Sequence, residues 1–354
     1  MRRRYDLCRS EGSERSDLRV FVTMSAFNAT PARRPTLHFI GVTTASSMIM
    51  RVFPAWMDYL GLADSEIRGT DLALHDRPER YREVVEFIKR DPLSYGALVT
   101  THKIDLVTAC RDLFDGFDDF ASLLGEVSCI WKDEDRLLGG AKDPITSGQA
   151  LEGFLPAGHW ARTKSDVFIM GAGGASLALT TYLLRADHGQ NRPARIFVSN
   201  RTPGRLETMQ RIHRQMRAEI PIQYVLSPDQ RDNDRVMREL RPHSLVVNAT
   251  GLGKDAPGSP LSDAAEFPDN GFAWDFNYRG NLVFLQQAGA QAGLRHLTVV
   301  DGWLYFIYGW TGVIAEVFHR DIPSTSSEFE ALCRIAEERR TQSGSDLNPH
   351  VAPL

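Results

Sequence analysis

The sequence predicts an α/β protein of two domains with a cleft between them. Three observations lead there. Short apolar runs alternate with amphipathic stretches from about residue 37 to about residue 318. Strands alternating with helices at this spacing make a mainly parallel sheet with helices on both faces. The alternation breaks near residues 144–156, which splits it into two halves. One strand of the second half, "DVFIM", runs straight into the glycine turn and apolar helix of "GAGGASLALTTYLL". A chain of 354 residues is long enough for two cores.

In the first half, "LHFIGVT" is a short apolar strand. "SSMIMRVFPAWMDYLGL" spaces Met48, Val52, Trp56 and Leu60 as one face of a helix. Ser46 or Ser47 is its expected cap, and Pro54 is expected in its first turns or at a kink. "EIRGTDLAL" is a second strand. "RPERYREVVEFIKRD" is a charged amphipathic helix stopped by Pro92. "YGALVTT" is the third strand and "KIDLVTACRDLF" the third helix. "GEVSCIWKDEDRLLGGAKD" reads as two strand pieces around a charged turn, and "TSGQALEGFL" as a linking helix.

The second half repeats the alternation. Its expected strands are "DVFIM", "ARIFVSN", "IQYVLS", "SLVVNAT", "FAWDFNY" and "HLTVVDG". Its expected helices are "ASLALTTYLLRAD", "GRLETMQRIHRQM", "RDNDRVMREL" and "VFLQQAGAQAG". The expected division is a leader over 1–34, a substrate domain over 35–145 joined by C-terminal helices 304–341, a dinucleotide domain over 146–303, and a tail over 342–354. No internal repeat or low-complexity segment interrupts it.

Composition narrows the function classes. A net charge of −4 gives no excess of positive charge for nucleic acid or an anionic membrane. No apolar run approaches the roughly 20 residues of a membrane-spanning helix. Cys8, Cys110, Cys129 and Cys333 are scattered, with neither a disulfide framework nor zinc spacing. A reducing cytoplasm is the expected setting. The basic, polar start reads as a disordered or over-long leader, with Met24 as a second candidate start. A small-molecule substrate in the cleft is the expected partner, and a homodimer stays open.

The glycine turn carries the cofactor signal. Gly171 permits the tight turn and Gly173 a close backbone approach to a pyrophosphate, with Ser176 at the sixth position of the pattern. The helix that follows presents free N–H groups and the positive end of its dipole. This makes the second half a Rossmann-type dinucleotide-binding domain. Its second strand ends "FVSNRTPGR", with Asn200, Arg201 and Arg205 where an NAD enzyme places an acid. Two guanidinium groups there suit a 2′-phosphate, so NADP is the expected cofactor.

With these motifs the chain resembles the shikimate/quinate dehydrogenase family, from about Leu37 to about Phe318. "GAGGAS", "NRT" and "VVNATGLG" resemble its cofactor motifs; "DFNY" and "VVDGWLYFIYGWTGVIAEVF" resemble its closing segments. "GALVTTHK" and "GGAKD" resemble the motifs carrying its catalytic lysine and aspartate. The resemblance implies Lys103 and Asp143 as the catalytic pair, and Ser47, Thr100, Ser128 and Tyr278 as substrate contacts. For the cofactor it implies Gly171, Ala172, Gly173, Gly174 and Ala175, then Asn200, Arg201, Thr202 and Arg205, then Asn248, Ala249 and Thr250, and Gly302. Several positions depart from the family's pattern. Ile49 stands for a serine, Leu98 and Ser128 for asparagines, and Gly309 for a glutamine. The proline before the lysine is missing.

The chemistry follows from these residues. Interconverting an alcohol and a ketone requires hydride transfer, which a nicotinamide supplies, and a protein group that moves a proton. Lys103 can move it if burial lowers its pKa; Asp143 then orients it and the substrate hydroxyl. His102 reads as a local structural or rim residue. Lys142 reads equally as an anion contact or a surface lysine. Ile49, Leu98 and Gly309 remove hydrogen-bond partners, so the expected substrate is less polar, larger or differently placed than shikimate. Trp303, Tyr305, Tyr308 and Trp310 read as core or as cavity lining. The expected function is that of an NADP-dependent secondary-alcohol dehydrogenase acting on a cyclic hydroxy acid or related polyol. The alternative is a non-catalytic sensor of NADP or another ligand on the same fold. A folate-linked dehydrogenase is disfavoured, because the first half lacks a Tyr-x-x-x-Lys arrangement.

Overall fold

A computed structural model describes residues 29–342 except 218 and 255. Most of the expected leader and all but residue 342 of the expected tail lie outside the described residues.

The first sheet is built from β1 (Thr36–Gly41), β2 (Glu66–Asp71), β3 (Ser94–Val99), β4 (Gly116–Phe117), β5 (Cys129–Asp133) and β6 (Arg136–Gly140), in the order β2-β1-β3-β5-β6-β4. β1 pairs parallel with β2 and β3, whereas β5 runs antiparallel to β3 and forms a hairpin with β6. The intervening helices are α1 (Ile49–Tyr59), α2 (Pro78–Arg90), α3 (Lys103–Cys110) and α4 (Asp119–Leu124). α2 starts with Pro78, whose missing N–H costs nothing at that position. It buries Tyr81, Val84, Val85 and Ile88, one helical face. Asp91 is extended, as a residue before proline prefers.

Three expectations need correction. No serine caps α1: the helix begins after Met48, and the Ser46 hydroxyl bonds back to the Thr43 carbonyl. α3 ends at Cys110, followed by one tight turn over Arg111–Leu113. β4 and α4 went unpredicted. The Asp118 side chain caps α4 by accepting from Ala121 N at 2.7 Å, and Gly125 closes it at φ +64°.

α5 (Asp143–Phe154) and α6 (His159–Thr163) lead to the second sheet. Its strands are β7 (Val167–Met170), β8 (Ile196–Asn200), β9 (Ile222–Leu226), β10 (Leu245–Asn248), β11 (Phe272–Asp275) and β12 (Thr298–Val300), all parallel in the order β12-β11-β10-β7-β8-β9. The order reverses between β7 and β10, and such a switch point opens a crevice at the strand ends. Its helices are α7 (Gly174–Leu183), α8 (Pro203–Gln215), α9 (Gln230–Glu239) and α10 (Val283–Arg295). The chain closes with α11 (Trp303–Val317) and α12 (Ser327–Gln342).

α5 is the pillar between the sheets. It packs on both α7 and α11. Gly148 lets the Tyr182 ring lie against α5: a Cβ there would meet ring atoms at 2.2 Å. α11 packs in turn on β3 and β5, and its Trp310 meets Phe39 of β1 edge-on at 5.0 Å. α12 covers α1, with Trp56 Nε1 donating to Leu332 O at 2.8 Å. Among the described residues, no helix is long and apolar enough to cross a membrane, and no cluster of His, Cys, Asp or Glu is arranged to hold a metal. Cys110, Cys129 and Cys333 are free.

Candidate active site

Lys103 is the first residue of α3 and Asp143 the first of α5. Their side chains, 40 residues apart in sequence, meet: the Lys103 ammonium donates to Asp143 Oδ2. Both line a cavity of about 610 Å³. Burial lowers the pKa of Lys103 from its ordinary value, opposed by the charge of nearby Glu126. The start of α3 adds to the lowering, because the positive end of a helix dipole disfavours a cation. Asp143 has the opposite relation to α5, whose N-terminus favours a carboxylate.

The polar rim holds the pair in place. Ser128 Oγ accepts from Lys142 N at 2.9 Å, which ties β5 to the turn before Asp143. Thr100 Oγ1 donates to the Ile40 carbonyl at 3.2 Å. Both residues line the cavity, as does Tyr278, whose phenol is pushed up by burial and whose ring packs on Trp303 and Phe306. Ser47 is absent from the lining and sits in the turn before α1. His102 bonds the Tyr81 hydroxyl at 3.2 Å, away from the cavity. Lys142 is also turned away, toward Glu316 at 3.0 Å and Asp118 at 3.5 Å, over the Trp131 ring. It is a packing residue rather than an anion contact.

The apolar wall comes from one face of α11. Tyr305, Phe306, Gly309, Trp310 and Val313 line the cavity, at the spacing that places helical residues side by side. Of the four aromatics singled out in the sequence, Tyr305 and Trp310 therefore line it. Trp303 is wholly buried, and Tyr308 stacks on Phe329. Gly309 has open space where a side chain would start. Leu98 faces the cavity, whereas Ile49 is fully buried core and shapes no part of it. Glu126, His75 and Asp105 also line it and were missed in the sequence. No spacing links Glu126 to Lys103; only the β5 turn brings it there.

A second cavity, about 780 Å³, opens at the switch point of the parallel sheet. Gly171, Ala172, Gly173, Asn200, Arg201, Thr202, Arg205, Ala249 and Thr250 line it. Gly171 has φ +99°, and a Cβ on it would strike the Ala249 carbonyl at 2.7 Å. Gly173 has nothing near its absent side chain, so its backbone is open to a ligand. Asn200 braces the turn: its Oδ1 accepts from Ala172 N at 3.3 Å, and its Nδ2 donates to the Thr202 carbonyl at 2.9 Å. Asn248 is buried beneath the cavity, where it bonds Thr250 and Asp275. Burial pushes the Asp275 carboxyl up to about 7. Gly174, Ala175 and Gly302 belong to the Lys103 cavity instead. Gly302 is required by packing, since a Cβ would lie 2.1 Å from the Phe276 carbonyl. Arg205 lines both cavities, and the first turn of α7 divides them. An open glycine backbone at a helix N-terminus, with two arginines at the end of β8, fits a dinucleotide.

No protein-family model matches the chain. It is 26% identical over 298 residues to shikimate dehydrogenase (NADP(+)) of Streptococcus thermophilus, covering 82% of this chain and 91% of that one. The crystal structure of shikimate 5-dehydrogenase from Thermus thermophilus, in complex with NADP(H) and shikimate, superposes with a TM-score of 0.61 at 25% identity, over 85% of this chain and 99% of that chain. The ligand-free 5-ketofructose reductase of a Gluconobacter strain gives 0.62 at 17% identity, over 86% and 99%. The likeness spans both sheets and the cleft between them.

Proposed function

We propose that this chain, a distant shikimate dehydrogenase-like oxidoreductase, uses NADP to interconvert a secondary alcohol and a ketone on a cyclic hydroxy acid or related polyol. The observation that carries the reading is the contact of Lys103 with Asp143 in a cavity bounded by the first turn of α7. In this reading, residues 35–145 and 304–341 form the substrate side and 146–303 the cofactor side.

A bound nicotinamide dinucleotide supplies hydride transfer. Gly171, Gly173 and the start of α7 would hold its pyrophosphate, and Arg201 and Arg205 its 2′-phosphate. Lys103 moves the proton. As the neutral amine it takes the proton of the substrate hydroxyl; as the ammonium it returns one to the carbonyl oxygen. Burial and the α3 dipole favour the amine, while Asp143 and Glu126 favour the ammonium, so both forms are accessible. Asp143 accepts from Lys103 and from the reacting hydroxyl, which fixes their separation. Thr100 and Tyr278, both on the lining, contact the ring. Leu98 and Gly309 offer it no hydrogen bond, so shikimate itself is a poor fit.

The test is a screen of cyclic alcohols and ketones followed by NADPH absorbance, alongside calorimetric titration of the cofactor. Turnover of at least one polyol is expected. Tight dinucleotide binding with no turnover across the panel would favour the sensor reading.

A further inference from the structure

Glu126 has no part in the chemistry above beyond its charge, yet its placement is specific. It sits between α4 and β5, only 2% exposed, on the wall of the Lys103 cavity. Its Oε1 is buried without a hydrogen-bond partner. Its Oε2 faces the first residue of α7, 3.2 Å from where a Cβ on Gly174 would stand. A buried carboxylate with an unused acceptor is costly unless something donates to it.

The rest of the cavity does not answer that demand. Lys103 is engaged by Asp143. Lys142 is spent on Glu316 and Asp118. Arg205 is exposed at the far edge, between the two cavities. Asp105 adds a third acid to the lining, paired with His75 at 2.9 Å. Of the remaining lining, Leu98, Phe306, Trp310 and Val313 are apolar, and none of the hydroxyls of Thr100, Ser128, Tyr278 and Tyr305 bonds Glu126 Oε1. A substrate carboxylate placed beside Glu126 would meet an acid, and the unpaired cation of the lining, Arg205, is committed to the 2′-phosphate in the proposed function. A hydroxyl, amide or ammonium group would meet an empty acceptor.

We propose that Glu126 is a specificity-determining residue: its carboxylate accepts a hydrogen bond from the substrate, selecting polyhydroxy compounds that present a donor on that side and rejecting those that present a carboxylate. The proposal rests on the dehydrogenase reading and narrows its substrate class to uncharged or cationic polyols.

The experiment compares quinate with its carboxamide, and shikimate with its carboxamide. These isosteres exchange an anionic acceptor for an N–H donor. Wild-type protein should favour the amide at least tenfold in kcat/KM, mainly through KM. Glu126→Gln keeps the shape and removes the charge, and should reduce that preference by about ten- to a hundredfold. NADPH affinity should stay close to wild type, while the limb of the kcat pH profile should move to lower pH, because the charge of Glu126 no longer favours the Lys103 ammonium. Calorimetric binding of the same four compounds to the NADPH complex gives a readout independent of turnover. If none of the four is turned over but the amide preference in binding falls in Glu126→Gln, the specificity proposal stands, and the dehydrogenase reading fails if the wider screen of cyclic alcohols and ketones is also without turnover. An unchanged amide-to-acid ratio in Glu126→Gln, or a wild-type preference for the acids, overturns the proposal.

Discussion

Lys103 and Asp143 each open a helix, and their side chains meet across the base of the cavity. The contact is therefore set by where α3 and α5 begin, and by the packing that holds α5 between α7 and α11. Residues far from the cavity control the pair through α5.

Gly148 is one of them. Its substitution by Ala would drive a methyl group to within 2.2 Å of the Tyr182 ring, whose hydroxyl is held by Glu152. Overpacking of this kind costs about 1–3 kcal/mol. Gly148→Ala should lower the stability by that amount and reduce turnover through displacement of Asp143. Chemical denaturation and steady-state kinetics on one preparation check both.

Lys103 should also shape the pH profile. Burial lowers its pKa below the ordinary 10.5. The oxidation of an alcohol needs the neutral amine, so its kcat should rise with pH along a limb centred below 10.5. The reduction of a ketone needs the ammonium and should fall along the same limb. Asp143→Asn removes a carboxylate that stabilises the ammonium, so the limb should move to lower pH as turnover drops. Profiles of kcat in both directions test this; a limb at or above 10.5 would contradict it.

Arg201 and Arg205 lie on the cavity beside Gly173, exposed and free of ion pairs among the described residues. A charge-assisted bond to a 2′-phosphate is worth about 1.5–3 kcal/mol. Each arginine-to-alanine change should weaken NADPH binding by roughly ten- to a hundredfold and leave NADH binding nearly unchanged. Equal losses for both cofactors in calorimetry would place the arginines elsewhere.

His213 supplies a stability prediction separate from function. It is buried between Thr180 Oγ1 and the Tyr224 hydroxyl, each at 2.8 Å, and burial lowers its pKa from 6.5 to about 4. The unfolded chain therefore binds the proton first as pH falls. The contribution of neutral His213 is whole above 6.5 and is lost as pH falls toward about 4. The loss should reach about 2 kcal/mol at pH 5. Denaturant unfolding at pH 7 and pH 5 should show it, and His213→Gln should reduce the difference by about that amount, leaving the share of His38, which burial also lowers to about 4.

Much of this was legible in the sequence, for physical reasons. The parallel sheet declared itself through apolar runs and the glycine turn, because both of its faces are buried. α2 announced itself through its apolar face and its end through Pro92. What escaped was set by tertiary placement. β4 is two residues long, too short for any period. Ile49 stands where a cavity contact was expected, but it turns into the core. Ser47 remains in the turn ahead of α1. Lys142 has an even choice in sequence and a definite one in space, because Glu316 comes from α11. Glu126 was invisible for the same reason: its neighbours Lys103 and Gly174 come from α3 and α7.

The most direct test of the central claim is NADPH-linked turnover of the best substrate by Lys103→Ala and Lys103→Arg. Alanine removes the proton carrier, and arginine keeps the charge but cannot release a proton near neutral pH. Both should retain folding and NADPH affinity while losing about 10²–10⁴-fold in kcat, the usual contribution of a positioned acid or base. Near wild-type turnover in either variant would show that Lys103 does not move the proton.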